Sequence, residues 1–161
     1  MIVIVMGVVG AGKTTVGKLL AANLGWEFAD ADDFHSAANV EKIRNGTPLD
    51  DIDRDPWLDA LRAAILQWIA DRRNAVLACS ALKRRYRAKL DAGPEAKFVY
   101  LRGSADVISD RLRSRRGHFA GEAILASQLA DLEEPEAALT VDIAGTPQQI
   151  VDQIRKGLRL E

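Results

Sequence analysis

The sequence predicts an α/β fold in which helices cover both faces of a five-stranded parallel sheet. Five short apolar segments alternate with stretches of helical spacing along the 161 residues, which is typical of parallel sheets. The first segment, Ile2–Met6, is a continuous apolar run of the kind that is buried on both faces. The length favours one domain, so we expect residues 1–161 to form a single unit.

Bulk composition narrows the possible partners and the compartment. The net charge is −1 at pH 7, so no overall field attracts nucleic acid or a membrane, and we expect neither as a partner. The one cysteine, Cys79, cannot form an internal disulfide, which favours a reducing compartment. The apolar run at residues 2–6 is too short for a membrane span and lacks the basic segment of a secretion signal. These features predict a cytoplasmic protein.

A glycine-rich pattern directly follows the first strand. Residues 7–14 read G-x-x-x-x-G-K-T, and a stretch of helical spacing follows at residues 14–24. Glycines let the backbone N–H groups approach phosphate oxygens, and the helix N-terminus adds partial positive charge. Lys13 would contact the β- and γ-phosphates, and the Thr14 hydroxyl would ligate Mg²⁺. The residues predicted to bind the nucleotide here are Gly7, Gly10, Ala11, Gly12, Lys13, Thr14 and Thr15.

The alternative for this loop is a glycine-rich turn that binds nothing. The strand before it, the helix after it and the Lys-Thr pair in register argue against that alternative. The loop therefore predicts a nucleotide site, but it does not indicate which group accepts the phosphate.

The second predicted strand, at residues 26–30, leads into a polar segment. Gly25 before it is suited to a left-handed helix end, and Ala37–Arg44 is predicted as a short helix. Asp55 and Pro56 have the character of an N-cap and a first helical position, and they predict the start of a long helix. The apolar stripe of this helix comprises Leu58, Leu61, Ile65, Trp68 and Ile69.

The remaining three strands are predicted at residues 75–79, 97–101 and 139–143. Each is followed by a helix with a cap signal: Ser80, Ser104 and the capping box at residues 146–149, respectively. A further helix is predicted at residues 122–132. Ligands of such folds bind beyond the carboxyl ends of the strands, so we expect the chemistry to lie at that edge.

Two carboxylates, Asp30 and Asp32, form D-x-D at the end of the second strand. On an extended backbone both would point to the same side. We assign Asp30, with Thr14, to the Mg²⁺ shell, and Asp32 to the proton of an attacking hydroxyl. The alternative is a polar strand end or a helix cap. The neighbouring phosphate loop favours the functional interpretation.

A basic stretch at residues 111–119 falls between the fourth and fifth strands. Arg111 and Arg115 share one helix face, so one guanidinium could stack on adenine and the other could reach the transferred phosphoryl group. We predict a mobile lid at about residues 111–122, with a hinge near Gly117, that closes and excludes water. The alternative is a solvated basic helix face.

Residues 35–57 hold the candidates for binding the acceptor. Their donors, acceptors and cations suit a small polyhydroxylated acid better than a flat base. The candidates are His35, Asn39, Lys42, Asp50, Asp53 and Arg54, with Ser80, Lys83 and Arg87 from the third strand and the helix after it. Each could instead be an ordinary surface residue. Cys79 is interpreted as buried rather than nucleophilic, whereas Trp57 could be core or a pocket wall.

Together these motifs resemble one family, the gluconate kinases (gluconokinases). The matching segments run in order along almost the whole chain: GVVGAGKTT, FADADDFH, NVEKIRNGTPLDDIDRDPWL, CSALKRRYR, FVYLRG, RLRSRRGHF and LASQLADLEEP. The phosphate loop is generic. The PLDDIDRDPWL, CSALKRRYR and GHF…SQ…LEEP segments are much more specific.

The resemblance implies an ATP:D-gluconate 6-phosphotransferase that uses ATP and Mg²⁺, makes 6-phosphogluconate and is commonly a homodimer. It also implies a P-loop kinase fold with strand order 2-3-1-4-5. By position, Lys13, Asp32 and Arg115 would be catalytic, Arg111 would bind ATP, and residues 144–147 would pass the adenine. The residues implied to bind gluconate are Asp32, His35, Lys42, Arg54, Ser80 and Lys83.

A few positions depart from the family pattern. Val9 and Ala11 replace frequent serines, Ser36 replaces a frequent proline and Ile43 replaces a frequent methionine. None of these changes removes a proposed catalytic group. Ala120-Gly121 replaces a bulkier turn, which bears on the geometry of the lid.

Two other functions are weighed against this interpretation. One is a different small-molecule kinase of the same architecture, such as one for shikimate. The other is a GTPase-type switch, because residues 142–145 spell D-x-x-G after a strand. That motif comes late in the chain, and no N-K-x-D pattern is present to bind guanine.

Overall fold

The computed structural model describes residues 1–116 and 120–161, without the side chains of residues 115, 116, 120 and 121. The strands are β1 (Ile2–Met6), β2 (Glu27–Asp30), β3 (Ala75–Ala78), β4 (Ala96–Arg102) and β5 (Leu139–Asp142). The helices are α1 (Lys13–Leu24), α2 (Ala37–Arg44), α3 (Asp51–Ala70), α4 (Arg84–Leu90), α5 (Ala105–Arg116), α6 (Ala120–Asp131) and α7 (Pro147–Leu158). Within the described residues, no helix is both long enough and apolar enough to cross a membrane.

The five strands form one parallel sheet in the order β2-β3-β1-β4-β5. The predicted fold class and strand order are therefore confirmed. The register places Asp30 of β2 beside Ala78 of β3, and Ala78 beside Val5 of β1. The segments that leave these strands start at one edge of the sheet, where ligands of open α/β folds bind.

The central strand β1 divides the core into two halves. Val3 and Val5 pack with apolar side chains of α1, α5 and α7, whereas Ile2, Ile4 and Met6 pack with those of α3 and α4. All five side chains have 0% solvent exposure. The alternation follows from the pleat of a strand that is buried on both faces. The phosphate loop thus begins from a strand fixed on both faces.

The start of α3 differs from the prediction. Asp50, not Asp55, is the N-cap, and Pro56 lies inside the helix. The Asp53 N–H donates to Asp50 Oδ1 at 2.7 Å and the Asp50 N–H donates to Asp53 Oδ2 at 3.1 Å, which completes a capping box. If Asp55 were the N-cap, the residue three positions later would be Leu58, which has no side-chain acceptor. The observed start at Asp50 therefore satisfies more of the terminal amides.

The start of α4 also differs from the prediction, because Ser80 does not cap it. Lys83 is the N-cap residue, without a side-chain cap bond. Ala81, directly after Ser80, has a left-handed backbone with φ 45°, which prevents the helix from starting at Ser80. The other cap predictions are confirmed: Thr146 and Gln149 form a capping box, and the Ser104 hydroxyl accepts the Val107 N–H at 3.2 Å.

Candidate active site

The phosphate loop lies between the buried end of β1 and the first turn of α1. Gly10 and Gly12 have φ values of 81° and 96°, in the region that glycine adopts without strain. α1 begins at Lys13, so its N-terminal amides and its partial positive charge face the loop. This geometry is suited to holding phosphate oxygens.

Lys13 reaches across the loop. Its Nζ donates to the Val8 carbonyl at 3.0 Å. Burial of the ammonium group lowers the pKa of Lys13, and the Cys79, Asp32 and Asp30 side chains act in the opposite direction. The Lys13 ammonium is therefore poorly solvated, which increases its attraction for a phosphate.

Asp30 connects the phosphate loop to the next turn. Its Oδ2 accepts the Thr14 hydroxyl at 3.0 Å, and its Oδ1 accepts the Asp32 N–H at 3.0 Å. The prediction of an extended backbone at Asp32 is therefore wrong. Asp32 lies in a 3₁₀ turn at Ala31–Phe34, and Asp30 caps that turn. The turn bond, rather than strand alternation, holds the two aspartates side by side.

Asp32 lies among charged groups from the phosphate loop and its own turn. Partial removal from solvent raises the pKa of the Asp32 carboxyl, and the Asp30 carboxylate raises it further, whereas His35 and Lys13 lower it. These interactions bring Asp32, Lys13 and His35 into one electrostatic group. A carboxylate with a raised pKa next to a phosphate site is suited to accepting a proton.

Trp57 belongs to the core, which is one of the two predicted possibilities, and its ring also supports His35. It is only 6% exposed, and its Nε1–H donates to the Ala31 carbonyl at 2.7 Å. The His35 ring stacks on it with centroids 4.4 Å apart and an interplanar angle of 14°. The start of α3 thus holds the imidazole beside the acidic turn.

Three cations lie close to the ring of Tyr86 in α4. The Arg54 guanidinium and the Lys83 ammonium lie 5.7 Å and 5.6 Å from its ring centroid. Arg54 donates to the Tyr86 hydroxyl at 3.0 Å, and that hydroxyl donates to Asp51 Oδ1 at 2.6 Å. Arg85 also contacts Asp51, at 3.2 Å. Arg85 also lies 3.6 Å from Asp55, so two carboxylates face three cations and the cluster retains positive charge for an anion.

Two predicted acceptor residues have other partners. Lys42 donates to both Asp53 carboxylate oxygens, at 2.8 and 2.9 Å, so its charge is matched within the protein. The Ser80 carbonyl accepts the Gly7 N–H at 3.3 Å, which connects the end of β3 to the phosphate loop. Lys83 also has a carboxylate partner, Asp51 at 3.6 Å, whereas Arg54 reaches Asp51 through the Tyr86 hydroxyl.

A cavity of about 390 Å³ adjoins the phosphate loop on its other side. Its lining comprises Gly10, Ala11, Gly12, Thr15, Val16, Asp110, Arg111, Ser114, Gly145, Pro147 and Ile150. Arg111 donates to the Ile143 carbonyl at 2.5 Å, so its guanidinium is held beside the segment that follows β5. Gly145, the last residue of the D-x-x-G pattern, lines this cavity. Asp142, the first residue of the pattern, accepts the Ala144 N–H through Oδ1 at 2.7 Å.

Part of the predicted lid lies outside the described residues. This applies to residues 117–119, with the hinge at Gly117, and to the side chains of Arg115 and Ala120-Gly121. On the described part, Glu122 accepts from Ser109 and Arg113, which joins α6 to α5.

Two contacts were not predicted from the sequence. Gln128 of α6 accepts the Val9 N–H of the phosphate loop through Oε1 at 2.6 Å. The polar contacts of Tyr86 with Arg54 and Asp51 also had no sequence signal. Gln128 stands in the specific LASQLADLEEP segment, which is the one sequence signal that singles it out.

Gly10→Ala is expected to weaken nucleotide binding about tenfold or more. A Cβ there would come within 2.9 Å of the Leu112 side chain and 3.1 Å of Ile108, in addition to the left-handed strain of about 1–2 kcal/mol. Gly93→Ala is the matched control, since its φ is 85° and no atom lies within 4 Å of its Cβ. Calorimetric titration with ATP measures the difference; equal affinities of the two variants would contradict the steric argument.

Sequence and structure are both similar to known kinases. The family model described as Shikimate kinase matches residues 9–158. A Probable gluconokinase of Xenopus tropicalis is 42% identical, with 96% of this chain and 91% of the relative covered. The Gluconokinase of Gluconobacter oxydans is 41% identical, with 98% and 91% covered. The crystal structure of a gluconokinase from Sinorhizobium meliloti 1021 has a TM-score of 0.86 at 41% identity, with 98% of this chain and 90% of that chain covered.

Proposed function

The chain belongs to the gluconate kinase family, and on that premise we propose that it transfers the γ-phosphoryl group of ATP to D-gluconate, giving 6-phospho-D-gluconate. The observation that carries the proposal is the cationic cluster on Tyr86, whose Arg54 lies within electrostatic reach of His35 next to the acidic turn. A phosphate loop alone accounts for the donor. The excess of positive charge on the far side of Asp32 accounts for an acidic acceptor.

On the donor side, the loop amides and Lys13 would hold the β- and γ-phosphates. The adenine would occupy the 390 Å³ cavity, against Arg111 and the segment after β5. Lys13 is already held in the loop by the Val8 carbonyl at 3.0 Å, so little side-chain reorganisation is needed when charge develops in transfer.

Thr14 and Asp30 fit a Mg²⁺ ion. Their hydroxyl and carboxylate oxygens are 3.0 Å apart, and Mg²⁺ in kinases takes one or two protein oxygens besides phosphates and waters. In the described parts of the chain there is no group of three or more His, Cys, Asp or Glu that could hold a metal on its own, consistent with a site completed by phosphates. When bound, the ion would neutralise phosphate charge.

On the acceptor side, Arg54 and Lys83 would bind the carboxylate of gluconate, and Asp32 would receive the proton of the reacting hydroxyl. His35 lies within electrostatic reach of both Asp32 and Arg54, so it bridges the two halves. We propose residues 35–57 as the acceptor segment and residues 111–122 as a lid whose Arg115 approaches the transferred group and excludes water.

A coupled assay of ADP formation tests this function. We expect ADP to form in the presence of Mg·ATP and gluconate, and much more slowly with shikimate. A higher rate with shikimate would favour the second candidate, which the matching family model makes worth testing. A titration with ATP and GTP tests the remaining alternative, and we expect ATP to bind more tightly.

Arg54→Ala is expected to raise the KM for gluconate roughly 10- to 100-fold and to leave the KM for ATP within about twofold, because a charge-assisted contact to the carboxylate is lost. Arg73→Ala is the control, since Arg73 pairs with Glu27 at the opposite edge of the sheet. Steady-state kinetics with each substrate varied in turn measure both constants. Equal changes in both would indicate a structural role for Arg54 instead.

The assembly and the compartment are further proposals. We propose a homodimer in the cytoplasm, without a nucleic-acid or membrane partner. The dimer rests on the family resemblance, and the compartment on the single, buried, unpaired Cys79 and the near-neutral net charge. Light scattering coupled to size exclusion measures the oligomeric state directly.

A further inference from the structure

The imidazole of His35 is fixed in its plane and position. It stacks at 4.4 Å on Trp57, and Trp57 is held by its own hydrogen bond to the Ala31 carbonyl. Nδ1 faces Asn39, and among the described residues Nε2 has no hydrogen-bond partner. The chemistry of His35 therefore depends on which nitrogen carries the proton.

The buried side chain of Asn39 determines that choice. Asn39 is 4% exposed, and its Nδ2 lies 2.8 Å from the Asp53 main-chain carbonyl. A carbonyl oxygen can only accept, so the amide must present its NH₂ group to Asp53. The same NH₂ group lies 3.4 Å from His35 Nδ1. An NH₂ group cannot accept a hydrogen bond, so Nδ1 must be the unprotonated, accepting nitrogen.

The charged groups around the ring agree with this assignment. Asp32, from the 3₁₀ turn, raises the pKa of His35, whereas Arg54, from α3, lowers it; removal from solvent has the largest effect and also lowers it. The neighbours from α2 and α3 that touch the ring, Asn39 and Trp57, are uncharged. The imidazole is thus held neutral, with its hydrogen on Nε2.

We propose that Asn39 is a positioning residue that holds His35 as the neutral Nε2–H tautomer, and that this N–H donates to a hydroxyl of the acceptor. The proposal rests on the proposed function for the identity of the acceptor, but not for the tautomer. It divides recognition between two sites: Arg54 and Lys83 bind the carboxylate, and His35 binds an uncharged oxygen of the polyol chain. A neutral donor suits a hydroxyl because it adds no further cation beside Arg54.

Nitrogen-15 NMR of the wild-type protein tests the tautomer without any substrate. The sequence has two histidines, so a His118→Gln variant identifies the signals of His35 by difference. At pH 7 we expect the Nδ1 signal at the position of an unprotonated imidazole nitrogen and the Nε2 signal at that of a protonated one. A neutral Nδ1–H ring or a charged ring at pH 7 would overturn the assignment, whatever the enzyme phosphorylates.

Asn39→Asp changes the tautomer with almost no change in shape. A carboxylate accepts a hydrogen from Nδ1, so we expect the NMR signals to report protonation at Nδ1, and the KM for gluconate to rise about tenfold while that for ATP is unchanged. A wild-type NMR pattern in this variant would refute the role of Asn39. The new carboxylate also faces the Asp53 carbonyl, so thermal unfolding is measured in parallel.

The pair His35→Gln and His35→Ala tests the hydroxyl contact independently of Asn39. Glutamine retains an amide N–H within reach of the Nε2 position, whereas alanine retains none. We expect His35→Gln to keep most of kcat/KM for gluconate and His35→Ala to lose roughly tenfold. Equal losses would refute donation by Nε2–H. If neither variant nor the parent phosphorylates gluconate, the proposed function fails, and the NMR result still decides the tautomer.

Discussion

Lys13→Ala is expected to lower kcat by about 10²- to 10³-fold while the protein stays folded. Lys13 supplies a full charge where negative charge develops during phosphoryl transfer, and removal of one such group typically costs a factor of 10²–10³. The Lys13 ammonium is largely removed from solvent and donates to the Val8 carbonyl at 3.0 Å. Water that enters the space left by alanine would supply no comparable positive charge. Steady-state assays measure kcat, and calorimetric titration measures the affinity for ATP, which we expect to fall less than kcat.

Lys18→Ala is the matched control for this variant. Lys18 is on the same helix, is exposed, and places its ammonium 5.8 Å from the Phe28 ring rather than in the loop. We expect activity within about twofold of the parent, because exposed charges away from a site change little. Turnover of Lys13→Ala near that of Lys18→Ala would remove Lys13 from the mechanism.

Asp32→Asn is expected to lower kcat by about 10²–10⁴-fold, because the amide keeps the size of the side chain but cannot take the proton of the acceptor hydroxyl. The Asp32 N–H would still donate to Asp30 at 3.0 Å, so the turn should be retained. The KM values are expected to change by only a few fold. Rapid-quench measurement of a single turnover separates the chemical step from product release.

Asp33→Asn serves as the comparison for Asp32→Asn. Asp33 is in the same 3₁₀ turn and is exposed like Asp32, and the two changes are chemically identical. We expect Asp33→Asn to retain nearly full activity. If the two variants lose activity equally, the net charge of the turn matters rather than a specific base.

Local patterns along the chain predict the parts of this fold that local interactions determine. Three features are determined by residues within their own segment. Continuous apolar residues determine β1, glycines followed by Lys-Thr determine the loop at residues 7–14, and a reciprocal cap determines the helix start at residues 146–149. The family resemblance added the strand order, which local patterns do not specify. The strand β1, the loop and the capping box are confirmed because the residues that determine each of them lie close together in the sequence.

The predictions that were wrong depended on a choice between competing local signals. Asp50 and Asp55 can each cap a helix, and the reciprocal bond from Asp53 favours the first. Ser80 has the right chemistry for a cap, but the left-handed backbone of Ala81 excludes it. Asp30 and Asp32 lie together because of a side-chain bond in a turn, although strand alternation predicted the same neighbourhood.

The contacts that define the candidate site connect distant parts of the chain. Gln128 and Val9 are 119 residues apart, and Tyr86 and Asp51 are 35 apart. No periodicity reports such pairs, so the role of Tyr86 as a hub and the pairing of Lys42 with Asp53 could be found only in three dimensions. The functional residues themselves remain predictions that the variants above test.

The position of β1 has a consequence for the synthesis of the protein. β1 leaves the ribosome before both of its neighbours, because Ile2 pairs with Ala75 of β3 and with Ala96 of β4. At translation rates of roughly 5–20 residues per second, about 5–20 s pass before β4 is complete. Until β3 is made the five apolar residues Ile2–Met6 have no strand to pair with, and until β4 is complete one edge of β1 stays unpaired, so nascent chains that stop before Arg102 are expected to need chaperone protection.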